Sequence, residues 1–209
     1  MRAEERIWTK NLAVILVFSA LGSVNSVLVG YAGRLLSTLT IFSIIVPQLL
    51  SGLHVFWVVL VKLLLPKHGS ATAAGALKGL IEASLFSHLG VFSFAVSLMQ
   101  GAVVDLVFAL LKKKRSYAVY VAGGLSSASN LIIIQLFFLP AQPTLIYASA
   151  YIAAFLSGLL FGGYLTAKVL KVVPANFQAT TNRPTLNTHT NLTLLQALFS
   201  KISAIPNPD

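Results

Sequence analysis

The fold of this chain is decided by residues 47–115, which read PQLLSGLHVFWVVLVKLLLPKHGSATAAGALKGLIEASLFSHLGVFSFAVSLMQGAVVDLVFALLKKKR. Three long apolar runs lie in this stretch, and they are interrupted by Gln48, His54, Lys78, Glu82, Gln100 and Asp105. A membrane helix needs about 20 mostly apolar residues. An ionisable side chain at membrane depth is costly unless it faces a partner or a ligand path. The stretch therefore predicts transmembrane helices with an internal polar site.

The composition of the whole chain is that of an integral membrane protein. Of its 209 residues, 56% are hydrophobic and 10% are charged, whereas an average soluble domain has about 25% charged residues. The net charge of +10 does not indicate nucleic-acid binding, because the basic residues cluster at the ends of apolar runs. We expect a multi-pass protein of the cell membrane whose surroundings are lipid.

Six apolar runs are long enough to be candidate spans. Their approximate limits are residues 12–31, 44–65, 70–88, 91–111, 117–139 and 145–172. If both termini are cytoplasmic, all of the 15 Lys and Arg residues except Arg34 and Lys78 fall on the cytoplasmic side, as the positive-inside rule requires. The prediction is an all-α bundle of six transmembrane helices over residues 1–173, with both termini cytoplasmic. Residues 174–209 are rich in Asn, Thr and Pro, which predicts a disordered cytoplasmic tail.

The charged residues inside the predicted spans need partners. Lys78 and Glu82 are four residues apart and share a helix face. We predict a structural charge pair between Lys78 and Asp105, with a Lys78–Glu82 pair as the alternative. One carboxylate is then left over, and Glu82 is the candidate because it lies in the outer half of its span. An unpaired carboxylate that faces a cavity would bind a cationic or amine-bearing ligand.

Other polar side chains in the spans suit a flat, nitrogen-containing ring. Trp57 could stack on such a ring, and His54 and Gln48 could form hydrogen bonds with it. Gln100 in the fourth span and Asn130 in the fifth are further candidates of the same kind. The alternative for Trp57 is ordinary packing or interfacial anchoring, and the alternative for His54 is an interhelical hydrogen bond.

Small residues recur at every fourth position in several spans, for example Gly22, Ser26 and Gly30 in the first. Such rows let helices approach closely in lipid, where packing drives helix association. They predict a compact bundle, although a surplus row on an outer helix could dock another membrane subunit.

No motif of a known catalytic site is present in the sequence. HExxH, GxSxG and GxxxxGK[ST] are all absent. The chain lacks cysteine, and His54 and His88 do not have the spacing of a metal site. We therefore expect neither an enzyme nor a bound cofactor or metal.

Four segments carry a resemblance to a known family. They are 47–53 (PQLLSGL), 66–71 (PKHGSA), 78–82 (KGLIE) and 100–109 (QGAVVDLVFA), followed by the basic run 112–115. In order and spacing they resemble the S components of energy-coupling factor (ECF) transporters, most closely the YkoE-like family linked to thiamine or its hydroxymethylpyrimidine precursor.

The resemblance implies the substrate-binding subunit of an ECF-type ABC importer. Such a subunit captures a vitamin-like molecule from outside and delivers it inward with one transmembrane T component and two ATP-binding subunits. The docking surface of the family involves the first helix, which here would present Ser19, Gly22, Ser23 and Ser26. From the residues alone, a proton-coupled secondary transporter and a non-transporting structural subunit stay open as alternatives.

Overall fold

Residues 2–39, 44–85, 87, 89–137 and 143–173 are described by the computed structural model, and they contain helices but no strand. The helices are α1 (Arg2–Thr38), α2 (Ile45–Leu64), α3 (Ser70–Ser84), α4 (Phe92–Leu110), α5 (Arg115–Phe137) and α6 (Thr144–Val172). A 3₁₀ turn, Lys112–Lys114, joins α4 to α5, and α6 contains a π-helical segment, Gly158–Leu165. The predicted all-α class is confirmed. The predicted tail, 174–209, lies outside the described residues.

Within the described ranges, five helices are long and apolar enough to cross a membrane, and α3 is the exception. It has 15 residues, which at about 1.5 Å per residue is shorter than a hydrocarbon core of about 30 Å. The predicted third span, 70–88, extends past the end of this helix, which is at Ser84. Six complete spans and cytoplasmic termini stay predictions.

The core of the bundle is built around α2, which contacts α1, α3, α4, α5 and α6. Its sequence is apolar on most sides, as expected for a helix surrounded by others. The side chains of Val55, Val58, Val59 and Leu63 form one buried cluster with residues of α3, α4 and α5. This central position places the polar residues in the N-terminal half of α2 inside the bundle.

The backbones of α3 and α4 are in direct contact at glycines. A Cβ atom added to Gly101 would lie 2.8 Å from the Cα of Thr72, and one added to Gly79 would lie 2.6 Å from the Cα of Phe94. Carbon atoms do not approach so closely, so only glycine permits this helix separation. The short distance allows side chains of α3 and α4 to share one polar network.

Replacing Gly101 with valine is expected to lower the free energy of unfolding by about 1–3 kcal/mol, because the two helices must separate to admit the side chain. Thermal unfolding of the detergent-solubilised protein measures the effect. Ala102→Val is the matched control, since Ala102 is exposed on the outer side of the same helix. Equal melting temperatures for the two variants would contradict the packing described.

Candidate functional site

A polar cavity lies among α1, α2, α3, α4 and α5. Its volume is about 60 Å³, which is small beside the usual size of a small-molecule site, about 300–1,000 Å³. The polar side chains that line it are Ser26, Gln48, Ser51, His54, Lys78, Glu82, Ser87, Ser93, Ser97, Gln100 and Asn130. The structure thus brings five of the six predicted ligand-binding residues to one cavity.

The charges in this cavity belong to one closed network. The Nζ atom of Lys78 lies 2.5 Å from Oε1 of Glu82 and donates to Oγ of Ser97 at 3.1 Å. The hydroxyl of Ser97 in turn donates to Oε2 of Glu82 at 2.9 Å. Both oxygens of Glu82 are therefore occupied, and the prediction that this carboxylate is left unpaired is wrong. The i, i+4 spacing on α3 is the reason, since it places the two side chains on one face.

A second charge pair, formed by the buried Lys62 and the partly buried Asp105, lies nearer the basic end of the bundle. The Nζ atom of Lys62 is 2.6 Å from Oδ1 of Asp105. Oδ2 of Asp105 accepts hydrogen bonds from the backbone N–H and the hydroxyl of Thr72, at 2.8 and 2.7 Å. Thr72 is in the first turn of α3, where N–H groups have no partner within the helix. Asp105 therefore fixes the start of α3.

The predicted Lys78–Asp105 pair is wrong. Thr72, which binds Asp105, precedes Lys78 by six residues on α3, a distance of about 9 Å along the axis. Each of the two charges has a nearer counter-ion, Glu82 for Lys78 and Lys62 for Asp105. The sequence offered no direct sign of the second pair, because Lys62 lies close to the end of α2 and has the pattern of a flanking base.

Three carboxamide side chains around the cavity are buried without full hydrogen bonding. Among the described residues, neither Nε2 nor Oε1 of Gln100 has a partner, and the residue is 1% exposed. Oε1 of Gln48 and Oδ1 of Asn130 are also unpaired. Leaving a buried polar group unsatisfied costs about 1–3 kcal/mol. Their clustering at one cavity indicates a place where a polar ligand would supply the missing partners.

Trp57 does not belong to the cavity lining, although His54, one turn away on α2, does. The indole ring lies 5.1 Å from the ring of Phe56 and 6.2 Å from that of Phe18, measured between centroids. Its Cβ atom lies close to Gly22 of α1. These contacts correspond to the alternative of ordinary packing, and they leave the predicted stacking role of Trp57 without a geometric basis.

The small-residue row of α1 faces the inside of the bundle, where Ser19, Gly22, Ser23 and Ser26 are all buried. The hydroxyl of Ser19 donates to the carbonyl of Ala74 at 3.0 Å, and that of Ser23 to the carbonyl of Lys78 at 2.8 Å. The row therefore holds α1 against α3. This corrects the predicted docking surface, because side chains used inside the bundle are not accessible to another subunit.

Comparison with known proteins gives a family and a fold. A family model described as the permease component of an ABC-type cobalt transport system matches residues 10–131. No curated protein matches the chain. A solved structure described as the crystal structure of an S-component of ECF transporter is similar, with a TM-score of 0.72 and 18% sequence identity over 94% of this chain and 98% of that chain. At this identity the likeness concerns the fold.

The matched family and fold are those of transporter components and not of enzymes. The predicted absence of catalytic activity is thereby confirmed. Together with the apolar helices, the comparisons identify the chain as a multi-pass protein of the cell membrane.

Proposed function

Because the chain belongs to the family described as the permease component of an ABC-type cobalt transport system, we propose that it is the substrate-binding S component of an ECF importer. The S-component fold supports this role. The ligand is a small nitrogen heteroaromatic of the vitamin type, in the class of hydroxymethylpyrimidine and thiamine. Transport requires partners, one transmembrane T component and two ATP-binding subunits, since the sequence has no phosphate-loop motif of its own.

The observation that carries the proposal is the unpaired carboxamide of Gln100. Its N–H and C=O groups form an adjacent donor and acceptor, and both lack partners among the described residues. An amino group next to a ring nitrogen presents the complementary acceptor and donor along one edge. The free oxygens of Gln48 and Asn130 would accept further hydrogen bonds from amino or hydroxyl groups of the ligand.

The charge balance of the cavity favours a neutral ring over a permanent cation. Glu82 is already bonded to Lys78 and Ser97, so a cationic ligand would have to displace a buried lysine. Separating a buried ion pair is strongly unfavourable. An aminopyrimidine such as hydroxymethylpyrimidine fits this arrangement better than thiamine, whose thiazolium ring carries a fixed positive charge.

The cobalt ion in the family description is poorly matched by the cavity. Its lining contains one imidazole, that of His54, and one carboxylate, that of Glu82, which Lys78 already holds. Divalent transition metals select imidazole, thiolate and carboxylate ligands in sets. In the described part of the chain, no group of three or more such side chains could hold a metal. An organic substrate therefore agrees better with the side chains than a metal ion does.

The cavity must widen to admit its ligand. Sites for small molecules usually measure about 300–1,000 Å³, whereas this cavity measures about 60 Å³. Lining residues come from the outer part of α1, at Gly30 and Gly33, and from the connection between α3 and α4, at Ser87 and Leu89. Binding is therefore expected to separate these elements.

Titration calorimetry of the purified chain tests the proposal with three probes: hydroxymethylpyrimidine, thiamine and cobalt(II) chloride. We expect saturable binding of hydroxymethylpyrimidine, weaker binding of thiamine and no binding of cobalt(II). Tight cobalt(II) binding without binding of either organic molecule would overturn the ligand assignment. Uptake by the chain alone in vesicles, driven by a proton gradient, would instead support a secondary transporter.

A further inference from the structure

A second cavity, of about 240 Å³, lies between the beginning of α1 and the loop that joins α2 to α3. It shares no lining residue with the first cavity. The residues important to its chemistry are Trp8, Asn11, Leu12, Ile15, Lys67 and His68. Its position at the start of α1 and the end of α2 places it at the end of the bundle where the basic residues gather.

The side chain of Asn11 shows that this cavity is polar at its base. Asn11 is 8% exposed, and neither its Nδ2 nor its Oδ1 atom has a hydrogen-bond partner among the described residues. A buried carboxamide in this condition is unfavourable by about 1–3 kcal/mol. A ligand with oxygen acceptors in the cavity would satisfy the N–H donors.

The rim of the cavity carries the positive charge of Lys67 beside the imidazole of His68. Lys67 and His68 are exposed at the surface, and none of the described residues that line the cavity is acidic. The loop that carries them is held in place, because the carbonyl of Lys67 accepts hydrogen bonds from Nζ of Lys62 at 2.6 Å and from Oγ of Ser70 at 3.0 Å. A lysine and an imidazole carried on this anchored loop, above a buried amide, are suited to an anionic group.

The remaining wall of the cavity is apolar and open to the outer surface of the bundle. Leu12, Ile15 and Leu65 line it, and Trp8 is 68% exposed at its edge. Tryptophan beside basic residues is typical of the boundary between hydrocarbon and headgroups, and basic pockets at this depth bind anionic headgroups. The cavity therefore combines an anion site with a surface for an acyl chain.

We propose that this cavity binds an anionic phospholipid of the adjoining leaflet. The phosphate contacts Asn11, Lys67 and His68, and the first part of an acyl chain lies along Leu12 and Ile15. Neither the cavity nor these residues take part in the proposed substrate site. The inference therefore does not depend on the identity of the transported molecule.

Native mass spectrometry of the detergent-purified chain tests this proposal. The protein is titrated with phosphatidylglycerol and with phosphatidylcholine of the same acyl chains. We expect at least about fivefold tighter binding of phosphatidylglycerol, because its headgroup has a net negative charge that Lys67 attracts, whereas the choline of phosphatidylcholine neutralises the phosphate. Asn11→Leu should weaken its binding about tenfold, and Lys67→Gln about fivefold. Lys171→Gln, an exposed base on α6 outside this cavity, should leave it unchanged.

A loss of folding stability is not expected to explain weaker lipid binding in these variants. Asn11→Leu removes an unsatisfied buried amide, and Lys67 is exposed, so both proteins should melt no lower than the wild type. Equal binding of the two lipids, or unchanged phosphatidylglycerol binding in both variants, would overturn the proposal. Displacement of the lipid by millimolar glycerol 3-phosphate would overturn the lipid assignment, because a soluble phosphate ester would then suffice.

Discussion

Replacing Lys78 with methionine is expected to lower the free energy of unfolding by about 3–5 kcal/mol, the usual effect of removing one partner of a buried ion pair. The side chains of Lys78 and Glu82 are 2% and 6% exposed. Without the ammonium group, Glu82 would stay buried and lose the counter-ion that is bonded to it, while the hydroxyl of Ser97 would still donate to Oε2. Denaturation of the detergent-solubilised protein gives the unfolding free energy of each variant.

The matched control is the double variant Lys78→Met with Glu82→Leu. Replacing a whole buried pair by apolar side chains of similar volume is often neutral or stabilising, so the double variant should recover most of the lost stability. A single variant as stable as the wild type would contradict the buried pair. So would a double variant that is no more stable than the single one.

Replacing Gln100 with leucine is expected to weaken the binding of hydroxymethylpyrimidine roughly 30- to 100-fold. The variant loses two hydrogen bonds and leaves the ligand's polar edge without partners, at a total cost of about 2–3 kcal/mol. The stability of the ligand-free protein should not fall, because the amide of Gln100 has no partner among the described residues. Calorimetric titration measures the affinity, and thermal unfolding measures the stability.

Met99→Leu is the matched control for this prediction. Met99 is the neighbour of Gln100 on α4 and does not line the cavity, so its substitution should leave the affinity unchanged. Wild-type affinity in Gln100→Leu would show that the carboxamide does not contact the ligand. A similar loss of affinity in both variants would assign the effect to the packing of α4.

The sequence was sufficient to predict that several of the polar residues at the cavity face the inside of the bundle. Gln48, His54, Gln100 and Asn130 each lie in an apolar helix, where a side chain that faces lipid would be costly. They must therefore face the inside of the bundle, and the structure places all four at one cavity. This part of the prediction followed from the cost of exposing a polar side chain to lipid. It therefore did not require knowledge of how the helices pack.

The charge partners could not be predicted in the same way. Lys62 and Asp105 are 43 residues apart, and their contact depends on how α2 packs against α4. Because Lys62 lies near the end of a span, the sequence pattern indicated a base that reaches the membrane–water interface. The local spacing showed that Lys78 and Glu82 could form a pair. It did not show whether Lys78 pairs with Glu82 or with Asp105.

The row of small residues on α1 illustrates a second limit of sequence patterns. Ser19 and Ser23 have the spacing of a helix contact, and that spacing is the same whether the neighbour is α3 or another subunit. Their hydrogen bonds to carbonyl groups of α3 identify the neighbour. Trp57 is a similar case. It shares a helix face with His54, but that pattern does not show that the cavity reaches His54 and not Trp57.

The most direct test of the substrate-binding role is mass spectrometry of the small molecules that the purified protein retains. The purified wild-type chain, incubated with hydroxymethylpyrimidine and freed of excess, should retain about one molecule per chain. Gln100→Leu should retain far less, and Met99→Leu as much as the wild type. A wild-type protein that retains no organic molecule, or one that retains cobalt in its place, would contradict the account.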